Sequence, residues 1–222
     1  MNLIDDWPST PEQAIELQIR MAPLVDPRPP ADFRPRTAAG LDVAYDEGSD
    51  RLAAAVVVLD IGSLETVDRA VVPGVTDFPY VPGLFAFREL PALLAALDRL
   101  TVSPDLLICD GQGVAHPRRF GLASHLGVVT GLPSVGVAKT PMGHYDPPGP
   151  ERGDWTPLRD GDDVVGRALR TQREVKPLFV SIGHRIDLDT ACAQVLRLAP
   201  KYRQPETTRR ADRLCRDALL DR

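Results

Sequence analysis

The chain has 222 residues, of which 43% are hydrophobic, and its 31 acidic and 26 basic side chains give a formal net charge of −5. This length favours one domain, residues 1–222, with a substantial core. The acidic balance excludes a uniformly basic surface, so a phosphate-bearing partner would need basic residues gathered on one face, or metal ions that supply positive charge.

Cysteine usage and hydropathy indicate the cytoplasm. Cys109, Cys192 and Cys215 are odd in number and far apart, which favours buried thiols in a reducing compartment over disulfides or a structural zinc site. The longest apolar run, residues 52–59, is too short to cross a bilayer. We therefore expect a cytoplasmic monomer that makes no membrane contact.

The N-terminal segment predicts a helix. Thr10 is a candidate cap and Pro11 stands where the first helical residue would be. Ile15, Ile19 and Ala22 recur at helical spacing, so we expect this face to pack on the core.

Three strands are predicted next, over residues 39–45, 52–59 and 64–72. Short turns separate them, which indicates an antiparallel meander. The first strand alternates between two faces, and Asp42 interrupts an otherwise apolar sequence. A hydrogen-bonded bulge or edge position would explain this aspartate without any catalytic role.

A stiff turn follows at residues 78–83, because Pro79 and Pro82 fix their own backbone angles and restrict the residues before them. Such a loop can hold the ring of Tyr80 outward at low entropic cost. A packed loop aromatic is the structural alternative for this tyrosine.

The second half alternates between helices and strands. Residues 84–100 fit a helix with Glu89 near its start, and the apolar run 106–109 fits a buried strand that ends at Asp110. The remaining elements are a helix at 120–129, a strand at 134–138, a segment at 164–169, a strand at 178–182 and helices at 190–198 and 207–220. This order predicts an α/β fold with a mixed sheet of five or more strands, an antiparallel meander plus parallel strands, flanked by helices.

Three carboxylates can meet at one edge of such a sheet, namely Asp42, Glu89 and Asp110. Converging carboxylates repel unless a hard cation lies among them, and oxygen ligands beside a phosphate select Mg²⁺, with Mn²⁺ as a substitute. Each residue also has an ordinary explanation, since Asp110 could cap the next helix and Glu89 could be a solvated helical residue. The constellation, rather than any single residue, indicates a metal-dependent phosphodiesterase.

The chain resembles the endonuclease V family, whose members are deoxyinosine-specific nucleases with a ribonuclease H-like fold. The motifs that carry this resemblance lie in order along nearly the whole chain: GLDVAY at 40–45, FPYVPG at 78–83 continued by FRE at 87–89, DGQGVAHPRR at 110–119, PSVGVAK at 133–139, SIGHR at 181–185 and PETTRRA at 205–211.

The resemblance implies specific roles. Asp42 and Asp110 would bind the catalytic Mg²⁺, Glu89 would complete the acidic cluster, Lys139 would lie beside the attacked phosphate, and Tyr80 would enter the duplex as a wedge. The expected reaction is a nick at the second phosphodiester bond 3′ to deoxyinosine or another deaminated base, leaving 3′-hydroxyl and 5′-phosphate ends. An inosine-specific endoribonuclease that acts on RNA, or a non-catalytic lesion-binding module, would be the alternatives.

Further residues are candidates for contact with DNA. Pro79, Pro82 and Gly83 would shape the loop at residues 78–83 that carries Tyr80, called the wedge loop below. Gly111 and Gly113 would let backbone N–H groups approach a flipped base. His116 could be a general acid, a phosphate contact or a structural residue, and the pair His184 and Arg185 is the best further candidate for a phosphate contact. Asp212 replaces a histidine that the family often carries, and whether it joins the metal ligands stays open.

Overall fold

A computed structural model describes residues 7–76 and 78–220. Eight strands in this part of the chain form one mixed sheet in the order β3-β2-β1-β4-β5-β8-β7-β6. Their bounds are β1 (Thr37–Tyr45), β2 (Arg51–Asp60), β3 (Thr66–Val75), β4 (Leu106–Cys109), β5 (Ser134–Ala138), β6 (Trp155–Asp160), β7 (Asp163–Leu169) and β8 (Leu178–His184).

The pairing confirms the predicted combination of a meander with parallel strands. Strands β1, β2 and β3 are antiparallel neighbours, whereas β1, β4 and β5 run parallel to one another. The helices are α1 (Pro11–Met21), α2 (Ala86–Leu97), α3 (Leu122–Thr130), α4 (Leu188–Leu198) and α5 (Glu206–Leu220). Helices α2 and α3 pack on one face of the sheet, and α4 and α5 pack on the other.

The central strands are apolar on both faces because both are covered by helices. In β4, Leu107 and Cys109 belong to the cluster under α2 and α3, while Leu106 and Ile108 face α4. A strand buried on both sides loses the alternation of polar and apolar residues and becomes a continuous apolar run. The chain therefore leaves this layer only at Asp110, at the carboxyl end of β4.

Helix α5 lies unusually close to β1. A Cβ on Gly40 would be 2.1 Å from the carbonyl carbon of Thr207, so only glycine permits this approach. The approach lays the following turns of α5 along β1, and this places Asp212 near the carboxyl end of that strand.

The predicted face of α1 was partly right, because Ile15 and Ala22 pack against the core as half-buried residues and Ile19 does not. Thr10 does cap the helix, accepting a hydrogen bond from the N–H of Gln13, but Ile19 is 59% exposed. The buried residues are Ala14, Leu17, Gln18 and Met21. Gln18 is tolerated there because its amide donates to the carbonyls of Gly83 and Phe120.

Strand β6 was not predicted. It lies at the edge of the sheet, paired with β7 alone among the named strands, and most of its residues are exposed or half-buried. Pro157 is acceptable at an edge, where a missing N–H need not break a ladder on both sides.

Two arginines hold the proline-rich loop that precedes β6. Arg170 donates to the carbonyls of Gly149 and Pro148, and Arg152 donates to Leu196 at the end of α4. These guanidinium groups are occupied by backbone carbonyls, so the loop is an ordered part of the fold.

All three cysteines are buried and free. Within the described ranges, no helix is long and apolar enough to cross a membrane.

Candidate active site

Asp42 and Asp110 lie side by side, toward the carboxyl ends of the central strands β1 and β4. Leu41 in β1 is the parallel partner of Cys109 in β4, and each aspartate is the next residue along its strand. Neighbouring strands lie about 4.8 Å apart. The register therefore brings two carboxylates together, 68 residues apart in sequence.

The surroundings of Asp42 disfavour its charge. Burial, followed by the negative charges of Asp110 and Asp212, raises the pKa of Asp42 from 3.8 to about 7, and Lys139 opposes this shift. A carboxylate that is costly to ionise gains most from a bound cation.

Lys139 is the basic partner of Asp110. It follows β5 and its Nζ lies 2.6 Å from Oδ2 of Asp110. Burial lowers the pKa of Lys139, but the hydrogen bond and charge of Asp110 outweigh it, so the net shift is upward. The side chain stays an ammonium and is 48% exposed, which leaves room for a second anionic partner.

Glu89 lies in the first turn of α2 and reaches the same end of the central strands. It is buried, and burial followed by the charge of Asp42 raises its pKa well above the usual value. Its Oε1 lies 3.3 Å from the hydroxyl of Tyr45, and the guanidinium of Arg88 lies over the Tyr45 ring at 5.2 Å. Tyr45 thus orients a carboxylate that has few other donors.

Asp212 belongs to this acidic cluster by position. It lies one turn of α5 beyond Thr208, which packs beside Gly40, and its charge acts on both Asp42 and Lys139. The sequence alone left its place open, because the close packing of α5 on β1 was not predictable.

The donor chemistry of this cluster suits a hard divalent cation. All candidate ligands are carboxylate oxygens, and burial, followed by their mutual repulsion, raises the pKa values of Asp42 and Glu89. As the side chains stand, however, no three His, Cys, Asp or Glu residues in 7–76 and 78–220 are arranged to hold a metal ion. Lys139 neutralises Asp110 instead, so a bound cation would require this ion pair to rearrange.

A cavity of about 490 Å³ adjoins the acidic cluster. This volume lies in the range that holds small ligands in other proteins. Its lining joins the wedge loop, the turn after β4, the start of α3 and the segment after β5: Gln18, Tyr80, Val81, Pro82, Gly83, Phe85, Ala86, Asp110, Gly111, Gln112, His116, Gly121, Leu122, Ala138, Lys139, Thr140 and Met142.

Tyr80 projects from the rim of this cavity. Its side chain is 71% exposed, so it is not the packed loop aromatic that was the alternative. Pro79 and Pro82 on either side are also exposed, and the loop is anchored from beneath rather than by its tip.

The anchor is the carbonyl of Gly83, which accepts hydrogen bonds from three side chains. Gln18 Nε2 lies at 3.1 Å, His116 Nε2 at 2.9 Å and Arg118 Nη2 at 2.8 Å. Gln18 and Arg118 also bond to each other. This network fixes the wedge loop relative to the turn after β4.

His116 is neutral and fully occupied. Burial and then the charge of Arg118 lower its pKa to about 4. Because a carbonyl can only accept, Nε2 carries the proton that is donated to Gly83, while Nδ1 accepts from the backbone N–H of Arg118. The geometry supports the structural alternative for His116 rather than the general acid.

The two glycines after Asp110 differ in environment. Gly111 lines the cavity. Gly113 is buried, its N–H donates to the hydroxyl of Ser181, and a Cβ there would lie 1.9 Å from the carbonyl oxygen of Ile182. Gly113 therefore serves the packing of the turn on β8, and its N–H is not free for a base.

His184 and Arg185 lie near the end of β5 that is opposite to Lys139, so a phosphate contact made by them would be away from the acidic cluster. His184 pairs with Ser134 at the start of β5, whereas Lys139 follows the end of that strand. His184 accepts from the N–H of Asp26, and Arg185 donates to the carbonyl of Gly131. Both residues tie down neighbouring loops.

Sequence reasoning missed four residues that shape the site: Gln18, Tyr45, Gln112 and Arg118. For Gln18 a signal existed, because the spacing of Ala14, Leu17 and Met21 places it on the same helical face. For the others the partner is far away in sequence, and no local pattern reveals it.

Comparisons with known proteins identify relatives of this chain. The family model described as Endonuclease V matches residues 20–213. The chain is 58% identical over 219 residues to Endonuclease V from Streptomyces avermitilis, covering 97% of this chain and 95% of that protein. The crystal structure of that enzyme superposes with a TM-score of 0.92, at 57% identity and the same coverage.

A more distant structure includes nucleic acid. Endonuclease V from Ciona intestinalis was solved in complex with a 24-nucleotide DNA that contains an inosine followed by a ribo-adenosine. It superposes with a TM-score of 0.82 at 27% identity, covering 95% of this chain and 99% of that one. The structures that share this topology have a ribonuclease H-like fold, as the motifs implied.

Proposed function

The chain belongs to the endonuclease V family, and from this premise we propose that it is a divalent-metal-dependent endonuclease that recognises deoxyinosine and other deaminated bases in DNA. It nicks the strand at the second phosphodiester bond 3′ to the lesion and leaves 3′-hydroxyl and 5′-phosphate ends. The observation that carries this proposal is the meeting of Asp42 and Asp110 beside a cavity rimmed by an exposed tyrosine.

Mg²⁺ is the proposed cofactor, and Mn²⁺ can substitute. Asp42 and Asp110 would hold it, with Glu89 and Asp212 completing the negative field. When bound, the metal activates water and stabilises the leaving oxygen of phosphodiester hydrolysis. The protein contributes clustered carboxylates whose pKa values are raised by burial and then by the charges of their neighbours, so a cation among Asp42 and Glu89 would be favoured.

Lys139 would bind the scissile phosphate. Its ammonium is half-exposed and lies within hydrogen-bonding distance of Asp110. A cation held by Asp110 would weaken this ion pair and free the ammonium for a phosphate oxygen. Lys139 then adds positive charge on the side of the cluster nearest the cavity, where an overall acidic protein most needs it.

Tyr80 would act as the wedge that opens the duplex. An aromatic ring on an anchored loop can fill the gap left by an unstacked base, and extrusion costs a few kcal/mol. This cost is least where pairing is weak, as for hypoxanthine opposite thymine. The cavity beside Tyr80 is where the extruded base would lie.

The test is incubation of the protein with a duplex that contains one deoxyinosine and carries an end label, with and without Mg²⁺. We expect a single nick that requires the metal and maps to the second phosphodiester bond 3′ to the lesion. A matched duplex with adenine in place of hypoxanthine is the control. Absence of nicking with either metal would contradict the proposal and favour a lesion-binding module.

RNA cleavage is a second candidate, favoured by the ribo-adenosine that follows inosine in the DNA bound by the Ciona intestinalis relative. Side-by-side cleavage of matched DNA and RNA strands with one inosine each separates the two activities. We expect the DNA strand to be cut. Exclusive cleavage of RNA would replace the first proposal by the second.

A further inference from the structure

Arg203 joins the loop between α4 and α5 to the segment that carries Lys139. Its Nη2 donates to the carbonyl of Lys139 at 3.2 Å and to the carbonyl of Pro177 at 2.7 Å. The pairing of β5 with β8 ends at Ala138 and Phe179, so both carbonyls lie just beyond the ladder. Proline has no N–H with which to extend a ladder. The guanidinium therefore closes the open end of this strand pair.

The loop at residues 199–205, which carries Arg203, is itself anchored. The hydroxyl of Thr171, a fully buried residue, donates to the carbonyl of Arg203 at 2.6 Å. Nε2 of Gln172 donates to the carbonyl of Ala199 at 2.8 Å. A side chain that starts from an anchored backbone can fix the geometry of a functional residue. Arg203 therefore holds Lys139 from a fixed support.

The placement of Arg203 is unfavourable for the fold. The side chain is half-buried, and burial lowers the pKa of its guanidinium, an effect that the charge of Asp110 opposes. Its Nε is shielded from solvent and has no acceptor among the described residues. A buried donor without a partner is costly, and such departures concentrate at functional sites. The contacts of Nη2 explain this position better than support of the fold does.

Lys139 needs such support because its side chain is flexible. The ammonium lies at the end of a four-carbon stem, and its Nζ is 2.6 Å from Oδ2 of Asp110. A displaced backbone at the base of the stem would displace the ammonium as well. A misplacement of about 1 Å can reduce the rate of a reaction by about a hundredfold. Fixing the carbonyl of Lys139 therefore limits where its ammonium can lie.

We propose that Arg203 is a positioning residue for Lys139. By holding the carbonyls of Lys139 and Pro177 together, it directs the ammonium of Lys139 toward the phosphate that is cleaved. This inference rests on the proposed function, in which Lys139 contacts the scissile phosphate. The effect of Arg203 on cleavage passes through Lys139, so Arg203 matters for the rate only while that lysine is present.

A double-mutant cycle tests this dependence. Single-turnover cleavage of a deoxyinosine duplex with Mg²⁺ is measured for wild type, Arg203→Met, Lys139→Met and the double variant. Arg203→Met should reduce the rate by about tenfold to a hundredfold, while the Kd of the duplex, measured by fluorescence anisotropy without metal, stays nearly unchanged. In the Lys139→Met background, the change at Arg203 should have almost no further effect. Equal fold losses in the two backgrounds would overturn the inference.

Two further variants separate positioning from support of the fold. Arg170 also donates to backbone carbonyls, those of Pro148 and Gly149, so Arg170→Met should lower the Tm without a comparable loss of rate. Arg203→Lys keeps the charge and a donor, and it should recover part of the rate that Arg203→Met loses. If Arg203→Met does not fold, the cycle is run with Arg203→Lys. Equal rates for Arg203→Met and Arg170→Met at an equal loss of Tm would assign Arg203 to the fold.

A second readout does not depend on cleavage. The chain has three lysines, Lys139, Lys176 and Lys201, so reductive methylation with ¹³C-formaldehyde labels few side chains, and Lys139→Arg assigns the signal of Lys139. Arg203→Met should shift this signal, whereas Arg170→Met should not. An unshifted signal in a folded Arg203→Met would overturn the inference. If wild type nicks no duplex, the proposed function fails, and the shift still decides whether Arg203 holds Lys139.

Discussion

Two aspartates flank strand β4, and their surroundings are opposite. Asp105, just before the strand, accepts hydrogen bonds at its Oδ2 from the N–H groups of Arg36 and Thr37 and from the Thr37 hydroxyl, at 2.8, 3.0 and 3.2 Å. Asp110, just after it, lies beside Asp42 and has the ammonium of Lys139 as a partner. One end of the strand is stabilised by donors, and the other is crowded with acceptors.

The contrast extends to the neighbouring strands. Asp68 in β3 accepts from the backbone N–H groups of Thr101 and Val102, and these hydrogen bonds lower its pKa. Toward the opposite ends of these strands, the pKa of Asp42 is raised to about 7. A carboxylate with several donors stabilises the fold, whereas a buried carboxylate beside other carboxylates costs stability and so marks a functional site.

The largest effect should come from exchanging a carboxylate for an amide at Asp42 or Asp110, compared with the same exchange at Asp105 before β4. Asp110→Asn and Asp42→Asn should each reduce Mg²⁺-dependent nicking of a deoxyinosine duplex by about a thousandfold or more, because a metal ligand is lost. Duplex binding should be largely unchanged. Asp105→Asn is the matched control and should nick at close to the wild-type rate. Wild-type activity in Asp42→Asn or Asp110→Asn would remove that residue from the metal ligands.

Two exposed aromatics, one at the rim of the cavity and one on the edge strand β6, provide the next comparison. Tyr80→Ala should lower the ratio of deoxyinosine to adenine duplex binding by about tenfold, since stacking of one aromatic on a base contributes roughly 1–3 kcal/mol. Trp155→Ala changes an exposed aromatic on β6, away from the cavity, and should leave the ratio as it is. Fluorescence anisotropy measures both. If the two variants behaved alike, Tyr80 would not be the wedge.

Stability should decrease more when Asp105 is lost than when Asp110 is lost. Asp105→Ala removes the acceptor of three hydrogen bonds that join β4 to the start of β1. We expect a loss of about 1–3 kcal/mol, seen as a decrease in Tm of several degrees by scanning calorimetry. Asp110→Ala relieves repulsion while losing Lys139, so its Tm should change less. A larger decrease for Asp110→Ala would show that the acidic edge also supports the fold.

The smallest expected effect is on the pH dependence of stability. Asp42 holds its proton more tightly when folded, with a pKa of about 7 against 3.8, so metal-free stability falls as pH rises through this window. Between about pH 5 and about pH 8, wild type should therefore lose a few degrees of Tm more than Asp42→Asn. Equal slopes for the two proteins would place Asp42 in a less crowded environment.

The sequence was most informative where local chemistry is strong. Strand β4 was predictable because four apolar residues end at an aspartate and a glycine, and the bounds of β5 agree with the structure because a short run of small and apolar residues is bounded by Pro133 and Lys139. Asp42 lies within β1 and Asp110 follows β4, and the order of meander, helix and strand allowed both to meet, as the parallel register of the two strands now shows.

Residues whose partners are distant could not be placed in this way. Helical spacing could have placed Gln18 on the buried face of α1, but it could not reveal the partners of Gln18, the carbonyls of Gly83 and Phe120, which lie 65 and 102 residues away. His184 was named as a candidate phosphate contact but could not be placed relative to Lys139, because β8 runs antiparallel to β5 and strand direction is not written in a local pattern. Asp212 depended on how closely α5 approaches Gly40.

The most direct test of the central claim is a Mn²⁺ titration followed by isothermal calorimetry, in the absence of DNA. The account predicts that wild type and Asp105→Asn bind the ion, and that the double variant Asp42→Asn, Asp110→Asn does not. Binding by the double variant with wild-type heat and affinity would contradict the account, because the metal would then lie elsewhere.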